Sequence, residues 1–576
     1  MKFNSLALYF QQLEETASRN KMVEILSDLF KEAHPDEVGK ISYLSQGRVA
    51  PLFVPLEFGV ADKMMIKAIA LAFEKAPEDV NRSFKALGDL GKVAEKLSEK
   101  EKSELSVSEV FEILRQVAEK GGTGSVEQKA SLLAKLLKQL DKLSCRYVVR
   151  IPLGKMRLGF SDMTVLDALS WMLVGSKKVK GEIERAYNIR PDLGFITEVL
   201  KNKGLVGLKK VEPEVGVPIM MARAERLASP KAIIEKIGEC AAEPKIDGFR
   251  LAVHKKDDDI KMFTRNMEEV TFMYPDLVEG VRKQVKADKV IFEGEAVAYN
   301  PDTGEYLPFQ ETVQRKRKYD IEKKALEVPL RLFCFDLLYL DGRNFIPEPY
   351  KERRKKLEEI ISKGETLSLT KLEVVGDGGD LEKIFQDAIS RGLEGVMCKR
   401  LDGVYQAGAR GWNWIKYKRS YQGKLDDTVD AVVMGYDFGQ GKRTSFGIGD
   451  FLIGVYDKSS DTFKTIAKIG TGLTDEEWRT MKKEGEALKV EEKPARYDVD
   501  KMMFCDVWVK PAIIVVIRAD EISRSPVHTA CRSENQPGFA LRFPRLVDLR
   551  ADKLPEDATT TVEIQEMYEL QFKRTR

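Results

Sequence analysis

The spacing of apolar residues changes along this chain, and that change limits the folds open to it. From Met1 to about Val211 apolar residues recur at helical spacing, as they do between Asp62 and Phe73, and strand-like alternation is scarce. Apolar residues three and four positions apart share one face of a helix. The segment 1–211 is therefore predicted to form an all-α domain.

Prolines mark the end of this segment, and the pattern differs beyond them. Pro213 and Pro218 lie where helical spacing gives way to alternation, and helical spacing returns between the strand-like runs, for example at 350–361. Interleaved strands and helices predict an α+β domain over 212–421. The strand-like runs are 249–254, 290–298, 330–340 and 395–399.

Short β-rich runs separated by glycine and polar turns make up the remaining chain. They lie at 429–435, 451–456 and 513–518. Several short strands with such turns predict a small β-barrel over 422–576, followed by a C-terminal helix. A chain of 576 residues is too long for one hydrophobic core and suggests roughly three or four domains.

Composition excludes several classes of protein. Lys and Arg together number 95 and Asp and Glu 92, so nucleic-acid binding would have to come from local basic surfaces. The six cysteines include no Cys-x-x-Cys pair and there are three histidines, so neither a zinc site nor a disulfide framework is expected. We find no signal peptide and no bilayer-spanning stretch, and predict a cytoplasmic protein. The abundant Lys and Glu would suit a thermophile.

The segment from Glu243 to Arg250 carries the strongest chemical signal. It reads Glu-Pro-Lys-Ile-Asp-Gly-Phe-Arg and places Lys245 beside a carboxylate, a glycine and an arginine. An amine can attack phosphorus and a guanidinium can hold phosphate, so the segment fits covalent nucleotide chemistry. Taken alone, it is better explained as a charged turn between two strands.

Carboxylates, lysines and an aromatic residue follow at strand spacing. Glu293 and Glu295 lie two residues apart on a predicted strand and so share a face, where oxygen ligands would suit Mg²⁺ bridged to phosphate. Lys416 and Lys418 would present two cations to a triphosphate. Phe335 could stack on a base, although a phenylalanine in such a strand is more often core.

Two glycine turns interrupt the helical segment. One contains Gly47 and Arg48, and the other runs from Gly154 to Gly159 and contains Arg157. Glycine permits close backbone approach and arginine supplies a cation, which suits contact with a phosphate strand. A plain helix–helix loop is an equally good explanation of either turn.

Taken in order, these motifs resemble the covalent nucleotidyltransferase superfamily, and within it the ATP-dependent DNA ligases of the archaeal and eukaryotic replicative type. The likeness covers essentially the whole chain and implies a helical DNA-binding domain, an adenylation domain and an OB-fold domain. The motifs are Lys-x-Asp-Gly-x-Arg from Lys245, Glu-Gly-Glu from Glu293, Phe-Asp from Phe335, Glu-Gly-Val-Met-x-Lys from Glu394, Trp-x-Lys-x-Lys from Trp414 and Arg-Ala-Asp-Lys from Arg550.

The resemblance implies a role for each matching residue. Lys245 would form a phosphoramide with AMP, Glu243 would contact the adenine amino group, and Phe335 would stack on adenine. Glu295 and Glu394 would associate with a divalent metal, Mg²⁺ or Mn²⁺. The other matches are Arg250 and Arg265, which would contact the nucleotide sugar and the nick phosphate; the phosphate-binding cations Arg410, Lys416 and Lys418; Arg550, Asp552 and Lys553, which would orient pyrophosphate; and the DNA contacts Gly47, Arg48, Arg157 and Gly159.

The implied reaction consumes ATP in three steps. Lys245 attacks the α-phosphate and expels pyrophosphate, AMP passes to the 5′-phosphate of nicked duplex DNA, and the 3′-hydroxyl then seals the strand and releases AMP. Phosphoryl transfer needs positioning and charge neutralisation, which fits a set of cations and carboxylates. The family serves replication, repair and recombination, and a monomer is expected.

Two departures and three rival interpretations remain. Val516 stands where related ligases commonly have a glutamate, which puts a polar contact of the barrel domain in doubt. A sliding clamp is a candidate partner, but 101–105, near the family's clamp-binding motif, reads Glu-Lys-Ser-Glu-Leu. An NAD-dependent ligase would carry a four-cysteine zinc module, and an RNA ligase or capping enzyme would lack the helical domain. A noncatalytic DNA-binding protein would not need Lys245, Glu394 and Lys418 together.

Overall fold

The computed structural model describes the chain apart from residues 17, 228, 301–304, 308–310, 313, 318, 392, 419–427, 440–446, 471–472, 551–552 and 574–576. The described residues form two compact units. The first unit contains Met1–Glu225, Asp247–Lys371 and Lys399–Trp414, and the second contains Arg226–Ile246, Leu372–Cys398 and Ile415–Arg576. The predicted central domain contributes to both units, and its boundaries stay predictions.

The N-terminal part is helical, as the apolar spacing predicts. Helix α7 illustrates why: Ser106 and Glu109 form a capping box at its start, and its buried residues Val107, Val110 and Leu114 recur at helical spacing. The helices described here are α1 (Phe3–Glu14), α2 (Arg19–Glu32), α3 (Val38–Ser45), α4 (Asp62–Phe73), α5 (Pro77–Leu87), α6 (Leu90–Leu97), α7 (Val107–Glu119), α8 (Ser125–Leu137), α9 (Lys142–Arg150), α10 (Asp162–Val174), α11 (Lys180–Ile189) and α12 (Leu193–Lys209).

The central part mixes strands and helices. Its strands are β1 (Arg223–Arg226), β2 (Cys240–Lys245), β3 (Phe249–Lys256), β4 (Asp259–Thr264), β5 (Lys289–Ala298), β6 (Leu330–Leu340), β7 (Arg343–Asn344), β8 (Leu367–Leu369), β9 (Glu373–Val375), β10 (Gly395–Arg400) and β11 (Arg410–Lys418). Its helices are α13 (Pro230–Ile237), α14 (Pro275–Gln284), α15 (Ile321–Glu327), α16 (Tyr350–Ile360) and α17 (Gly378–Ser390).

Two sheets organise this central part. One has the order β4-β3-β5-β6-β7, with β8 pairing in parallel with β6, and the other has the order β1-β11-β10-β2-β9. In the first sheet the register places Glu295 opposite Arg250 on β3 and opposite Phe333 on β6. The α+β prediction is therefore confirmed.

The C-terminal part is rich in strands and ends in a helix. Its largest sheet has the order β15-β17-β12-β13-β14-β16, with β18 joining β12 to β21, and β19 pairs with β20. Its strands are β12 (Val429–Asp437), β13 (Asp450–Asp457), β14 (Thr462–Ile469), β15 (Lys489–Val490), β16 (Tyr497–Asp498), β17 (Val507–Val509), β18 (Ile514–Arg518), β19 (Glu521–Ser525), β20 (Gly538–Arg542) and β21 (Arg545–Leu549), and its helices are α18 (Asp475–Ala487) and α19 (Thr561–Lys573).

Both faces of β12 are buried, which explains its nearly continuous apolar sequence. Val429, Ala431 and Val433 pack in one cluster, and Val432 and Met434 pack in another on the opposite face. The β-rich prediction is confirmed for this part, while closure into an OB-fold barrel stays a prediction. Among the described helices of the whole chain, none is both long and apolar enough to cross a membrane.

Candidate functional site

Lys245 belongs to a group of three charged side chains in the second unit. The Glu394 carboxylate forms ion pairs with both Lys245 and Lys418, one through each oxygen. All three side chains are half-buried. Lys245 ends β2, Glu394 directly precedes β10 and Lys418 ends β11, so three neighbouring strands deliver the group. The structure thus brings together three residues that lie far apart in sequence.

Backbone contacts fix this arrangement. The Glu394 amide donates a hydrogen bond to the Lys245 carbonyl at 3.1 Å. The next residue, Gly395, has φ +145°, and a Cβ there would lie 2.1 Å from the Tyr417 carbonyl oxygen. Only glycine permits this approach between β10 and β11. Glu394 is therefore placed beside Lys418 by the strands themselves.

The charge of Glu394 is maintained by its partners. Burial alone would raise its pKa, but the two ammonium groups of Lys245 and Lys418 outweigh burial and hold the pKa below its usual value. Because the pKa of Glu394 is lower in the folded chain, its ion pairs stabilise the fold at any pH above the usual pKa of a glutamate. This stabilisation is lost as the pH falls through the lowered pKa. The Glu394 carboxylate is therefore charged at neutral pH.

Other predicted nucleotide contacts lie on the same strands. Glu243 is buried and lies two residues before Lys245 on β2, so the two side chains share a face of the strand. Lys416 and Lys418 are half-buried and alternate with the buried Ile415 and Tyr417 on β11, so the two lysines share one face of the strand. The side chain of Arg410 lies outside the described part of the structure.

Arg250 lies in the first unit and is held by several partners. Its Nη2 donates to Glu293 at 2.6 Å and to the Tyr405 hydroxyl at 3.4 Å, and its Nη1 donates to the Ala222 carbonyl at 2.7 Å. Burial alone would lower the Arg250 pKa, but the Glu293 charge raises it. Burial raises the pKa of Glu293, against the opposing effect of Arg250. The buried Nε of Arg250 has no hydrogen-bond partner among the described residues.

Phe335 makes an edge-to-face contact with an aromatic ring and lies near two cations. Its ring is 6.0 Å from that of Trp414, at an interplanar angle of 79°, and only 8% of the residue is exposed. Arg250 Cζ and Lys399 Nζ lie 5.3 Å and 4.7 Å from the Phe335 ring centroid. These are cation–π distances. Stacking of Phe335 on adenine stays a prediction. The contacts of Lys399 with the Phe335 ring and of Tyr405 with Arg250 were not predicted from the sequence.

The two carboxylates of the Glu-Gly-Glu motif differ in environment. Glu293 is fully buried against Arg250, whereas Glu295 is half-buried. Arg265 is exposed in the turn that follows β4. Of the motif's two carboxylates, Glu295 is therefore the one accessible to an outside ligand.

The carboxylates of this part of the chain limit how a divalent metal could be bound. Within the described residues, no cluster of three or more His, Cys, Asp or Glu side chains could hold a metal ion. Mg²⁺ is usually bound by one or two carboxylates together with substrate phosphates rather than by a protein cage. Glu295 and Glu394, as single carboxylates, each fit a metal that arrives with a nucleotide.

The last motif lies beside β12 and β18. The Arg550 amide donates to the Ile514 carbonyl at 2.9 Å, and the Lys553 ammonium forms an ion pair with Asp430. Asp552 lies outside the described residues. Asp430 therefore fixes the position of Lys553, a contact that the motif does not reveal.

Val516 occupies the place where relatives were expected to have a glutamate. It is buried on β18, and its cross-strand neighbours are Asp430 on β12 and Asp548 on β21. A glutamate there would stand between two carboxylates, and like charges on adjacent strands are destabilising. Valine at this position suits the two aspartates of this chain.

The two glycine turns of the helical part lie side by side in the first unit. A Cβ on Gly47 would lie 3.3 Å from Met156 Cγ and 3.7 Å from Gly154 Cα. Gly47, Gly154 and Gly159 all have positive φ values, of +71°, +63° and +76°. These values favour glycine and allow the close approach.

The arginines of these turns differ in exposure. Arg157 is exposed, donates to the Gly88 carbonyl at 3.0 Å and lies 3.5 Å from Asp89. Arg48 is half-buried. The structure thus brings the two predicted DNA-binding turns together, whereas their contact with DNA stays a prediction.

Comparison with known proteins agrees with this arrangement. Three family models match consecutive segments: "DNA ligase N terminus" at residues 2–170, "ATP dependent DNA ligase domain" at 220–418 and "ATP dependent DNA ligase C terminal region" at 444–553. Lys245, Glu394 and Lys418 all lie in the second of these segments.

Similar proteins match over the full length of the chain. A probable DNA ligase of Dictyoglomus turgidum is 49% identical over 100% of this chain and 98% of its own. DNA ligase 2 of Thermofilum pendens is 43% identical with the same coverage. The solved structure Pmar-Lig_PreS3 has a TM-score of 0.57 at 16% identity, covering 95% of this chain and 99% of its own, and so shows the shared fold. The chain belongs to the family of ATP-dependent DNA ligases, enzymes that close nicks in DNA through an adenylated intermediate. The predicted family is confirmed.

Proposed function

We propose that Lys245 is the residue that becomes adenylated when this ligase seals a nick. The observation that carries the proposal is the Glu394 carboxylate, which pairs with Lys245 and Lys418 at the ends of adjacent strands. The Lys245 ammonium gives a proton to water, and the free amine attacks the α-phosphorus of ATP. A nitrogen–phosphorus bond forms as the bond to the pyrophosphate oxygen breaks. AMP then passes to the 5′-phosphate, and the 3′-hydroxyl displaces it.

Lys416 and Lys418 would bind the phosphates of the nucleotide. Both ammonium groups extend from one face of β11, and two adjacent cations neutralise the charge that a triphosphate concentrates. Arg410, on the same strand, would add a third cation. When phosphates bind Lys418, its pairing with Glu394 is weakened, and that carboxylate becomes available to a metal.

Glu243, Phe335, Arg250 and Arg265 would contact the nucleoside and the nick. Glu243 can accept a hydrogen bond from the adenine amino group, and the Phe335 ring offers a surface for the base. The unused Nε of Arg250 can donate to a ribose hydroxyl or a phosphate. Arg265, which is exposed, would bind the nick phosphate.

A divalent metal, Mg²⁺ or Mn²⁺, bound at Glu295 or Glu394 would neutralise charge on the phosphates. Each glutamate would contribute carboxylate oxygens, and the nucleotide would supply the rest.

The C-terminal strands would form an OB-fold barrel that assists self-adenylation. Arg550, Asp552 and Lys553 would orient pyrophosphate, with Lys553 released from Asp430 when it engages the phosphates. The absence of a glutamate at Val516 would alter docking of this domain more than the chemistry of Lys245.

DNA would be bound through the helical part. Gly47, Arg48, Arg157 and Gly159 would meet the phosphate backbone without reading sequence. We infer a cytoplasmic enzyme that acts as a monomer in replication, repair and recombination. The six free cysteines agree with a reducing compartment. A sliding clamp is a candidate partner, although segment 101–105 does not match the family's clamp-binding motif.

Labelled nucleotides test the proposed cofactor directly. The protein is incubated with ATP, GTP or NAD, each labelled in its nucleoside monophosphate part, and the covalent label on the protein is measured. ATP is expected to label the chain, because Glu243 is suited to an adenine amino group. GTP, which lacks that group, is not expected to label it. Labelling by GTP at an equal rate, or by NAD in place of ATP, would contradict the proposal.

Replacement of Glu394 by glutamine tests the group of three side chains. The amide cannot neutralise two half-buried ammonium groups, and hydrogen bonds to charged groups contribute about 1.5–3 kcal/mol. The rate of self-adenylation is therefore expected to fall by about 10- to 100-fold. The readout is the rate of AMP incorporation, and the matched control is Glu235→Gln, an exposed carboxylate on α13 that pairs with Lys231. Equal rates in the two variants would refute a role for Glu394.

A further inference from the structure

Three cations surround one buried carboxylate in the helical part. Asp167, on α10, is fully buried, and its oxygens lie 2.9 Å from Arg19 Nη2, 3.2 Å from Lys177 Nζ and 2.8 Å from Lys180 Nζ. The three cationic side chains are 55%, 48% and 25% exposed, in that order. Arg19, Lys177, Lys180 and Asp167 are here called the Asp167 cluster. Its three cationic side chains are accessible to solvent, whereas its carboxylate is not.

The cluster carries more positive charge than its carboxylate requires. Within the described part of the chain, Asp167 is the one carboxylate that forms an ion pair with any of the three cations. One positive charge balances the carboxylate, and Lys180 supplies one at the shortest distance, while Arg19 donates a hydrogen bond to the other carboxylate oxygen. Arg19 and Lys177 therefore leave two positive charges in excess, held close together although they repel each other. Such an arrangement favours binding of an external anion.

The Asp167 cluster lies next to the two glycine turns. Arg19 precedes Met22 by three residues on α2, and a Cβ on Gly159 would lie 3.0 Å from Met22 Cε. At the start of α10, Asp162 accepts a hydrogen bond from Gln46 in the first turn at 2.7 Å. Asp167 follows five residues later, about 7.5 Å along the helix. The cluster and the turns are therefore separated by about one turn of either helix.

We propose that the Asp167 cluster binds phosphates of the duplex flanking the nick, beyond those that meet the glycine turns. Each DNA strand places a phosphate about every 3.4 Å along the helix axis, so a displacement of about 7 Å reaches the next phosphates but one. Arg19 and Lys177 contact the DNA, and Lys180 keeps Asp167 neutralised. The proposal rests on the proposed contact between the glycine turns and DNA.

The double variant Arg19→Gln/Lys177→Gln tests the proposal without leaving the Asp167 charge unpaired, because Lys180 still forms an ion pair with it. Binding to a nicked duplex is measured by fluorescence anisotropy over a series of salt concentrations. The slope of log affinity against log salt is expected to become shallower by about 1 to 2, and affinity at low salt to fall by about 10-fold. Self-adenylation, which needs no DNA, is expected to stay at the wild-type rate.

A pair of exposed lysines elsewhere in the helical part is the matched control. Lys67→Gln/Lys138→Gln makes the same change in net charge, and those lysines pair with Glu127 and Glu74. An equal change of slope in both double variants would show that the effect comes from net charge and not from these positions, and would overturn the proposal. A lower melting temperature with an unchanged slope would show a purely structural role and also overturn it.

A third variant separates this inference from the proposed turns. Arg48→Ala/Arg157→Ala removes the two arginines of the turns and is measured in the same way. Weaker binding of this variant with normal binding of Arg19→Gln/Lys177→Gln would refute the Asp167 cluster alone. Normal binding of both would refute the turns as well.

Discussion

Replacement of Lys245 by alanine is expected to abolish transfer of AMP from ATP to the protein. The side-chain nitrogen is the proposed nucleophile, and no other group on β2 offers an amine at its position. Affinity for nicked DNA should stay within about two-fold of wild type, because that affinity is assigned to basic surfaces of the helical part. The measurements are covalent labelling with radioactive ATP and anisotropy with a nicked duplex.

A pre-adenylated nick sharpens this experiment. Such a substrate already carries AMP on its 5′-phosphate, so sealing it no longer uses the Lys245 nitrogen as nucleophile, and the variant should retain measurable sealing. The control is Lys231→Ala, an exposed lysine on α13 in the same unit, which should behave as wild type throughout. Label attached to the Lys245→Ala protein would refute the assignment.

Replacement of Arg353 by methionine is expected to destabilise the first unit severely. Arg353 and Asp336 are both fully buried, with Nε 2.7 Å from one carboxylate oxygen and Nη2 3.1 Å from the other. Nη1 also donates to the carbonyls of Glu348 and Gly403. Loss of one partner leaves an uncompensated buried charge and costs about 3–5 kcal/mol. The expected result is a markedly lower melting temperature in calorimetry.

Two further variants define this result. Lys356→Ala changes an exposed cation on the same helix, α16, and should shift the melting temperature little. Arg353→Met combined with Asp336→Leu removes both charges and should recover much of the lost stability, because an apolar pair can replace a buried ion pair. A single Arg353→Met variant that melts with wild type would contradict the importance of this ion pair.

The helical part and the position of the proposed nucleophile could be predicted because both signals are local. Helical spacing in α7 depends on neighbouring residues, and the segment that contains Lys245 belongs to an ordered set of short motifs, each of which is read from a few adjacent positions. The pairing of Lys245 with Glu394 and Lys418 could not be predicted from spacing, because it depends on the strand order β11-β10-β2. Sheet order is set by contacts between distant segments.

The hydrogen-bond partners of the predicted site residues also could not be predicted from the sequence. Arg250 was identified by its motif, but its hydrogen bonds to Glu293 and Tyr405 follow from packing of a sheet and a loop. The Asp167 cluster shows the same limit, since Arg19 and Lys177 lie far apart in sequence and no motif links them. Such contacts appear only when the helices are packed.

The hydrogen bond from the Glu394 amide to the Lys245 carbonyl ties the proposed nucleophile to paired strands. The spacing between the amine and its counter-ion is set by paired strands, whose hydrogen bonds break together when the sheet melts. Warming below that point loosens surface loops but leaves this spacing intact. Loss of the reactive geometry on heating is therefore expected to coincide with cooperative melting of the strands rather than to precede it.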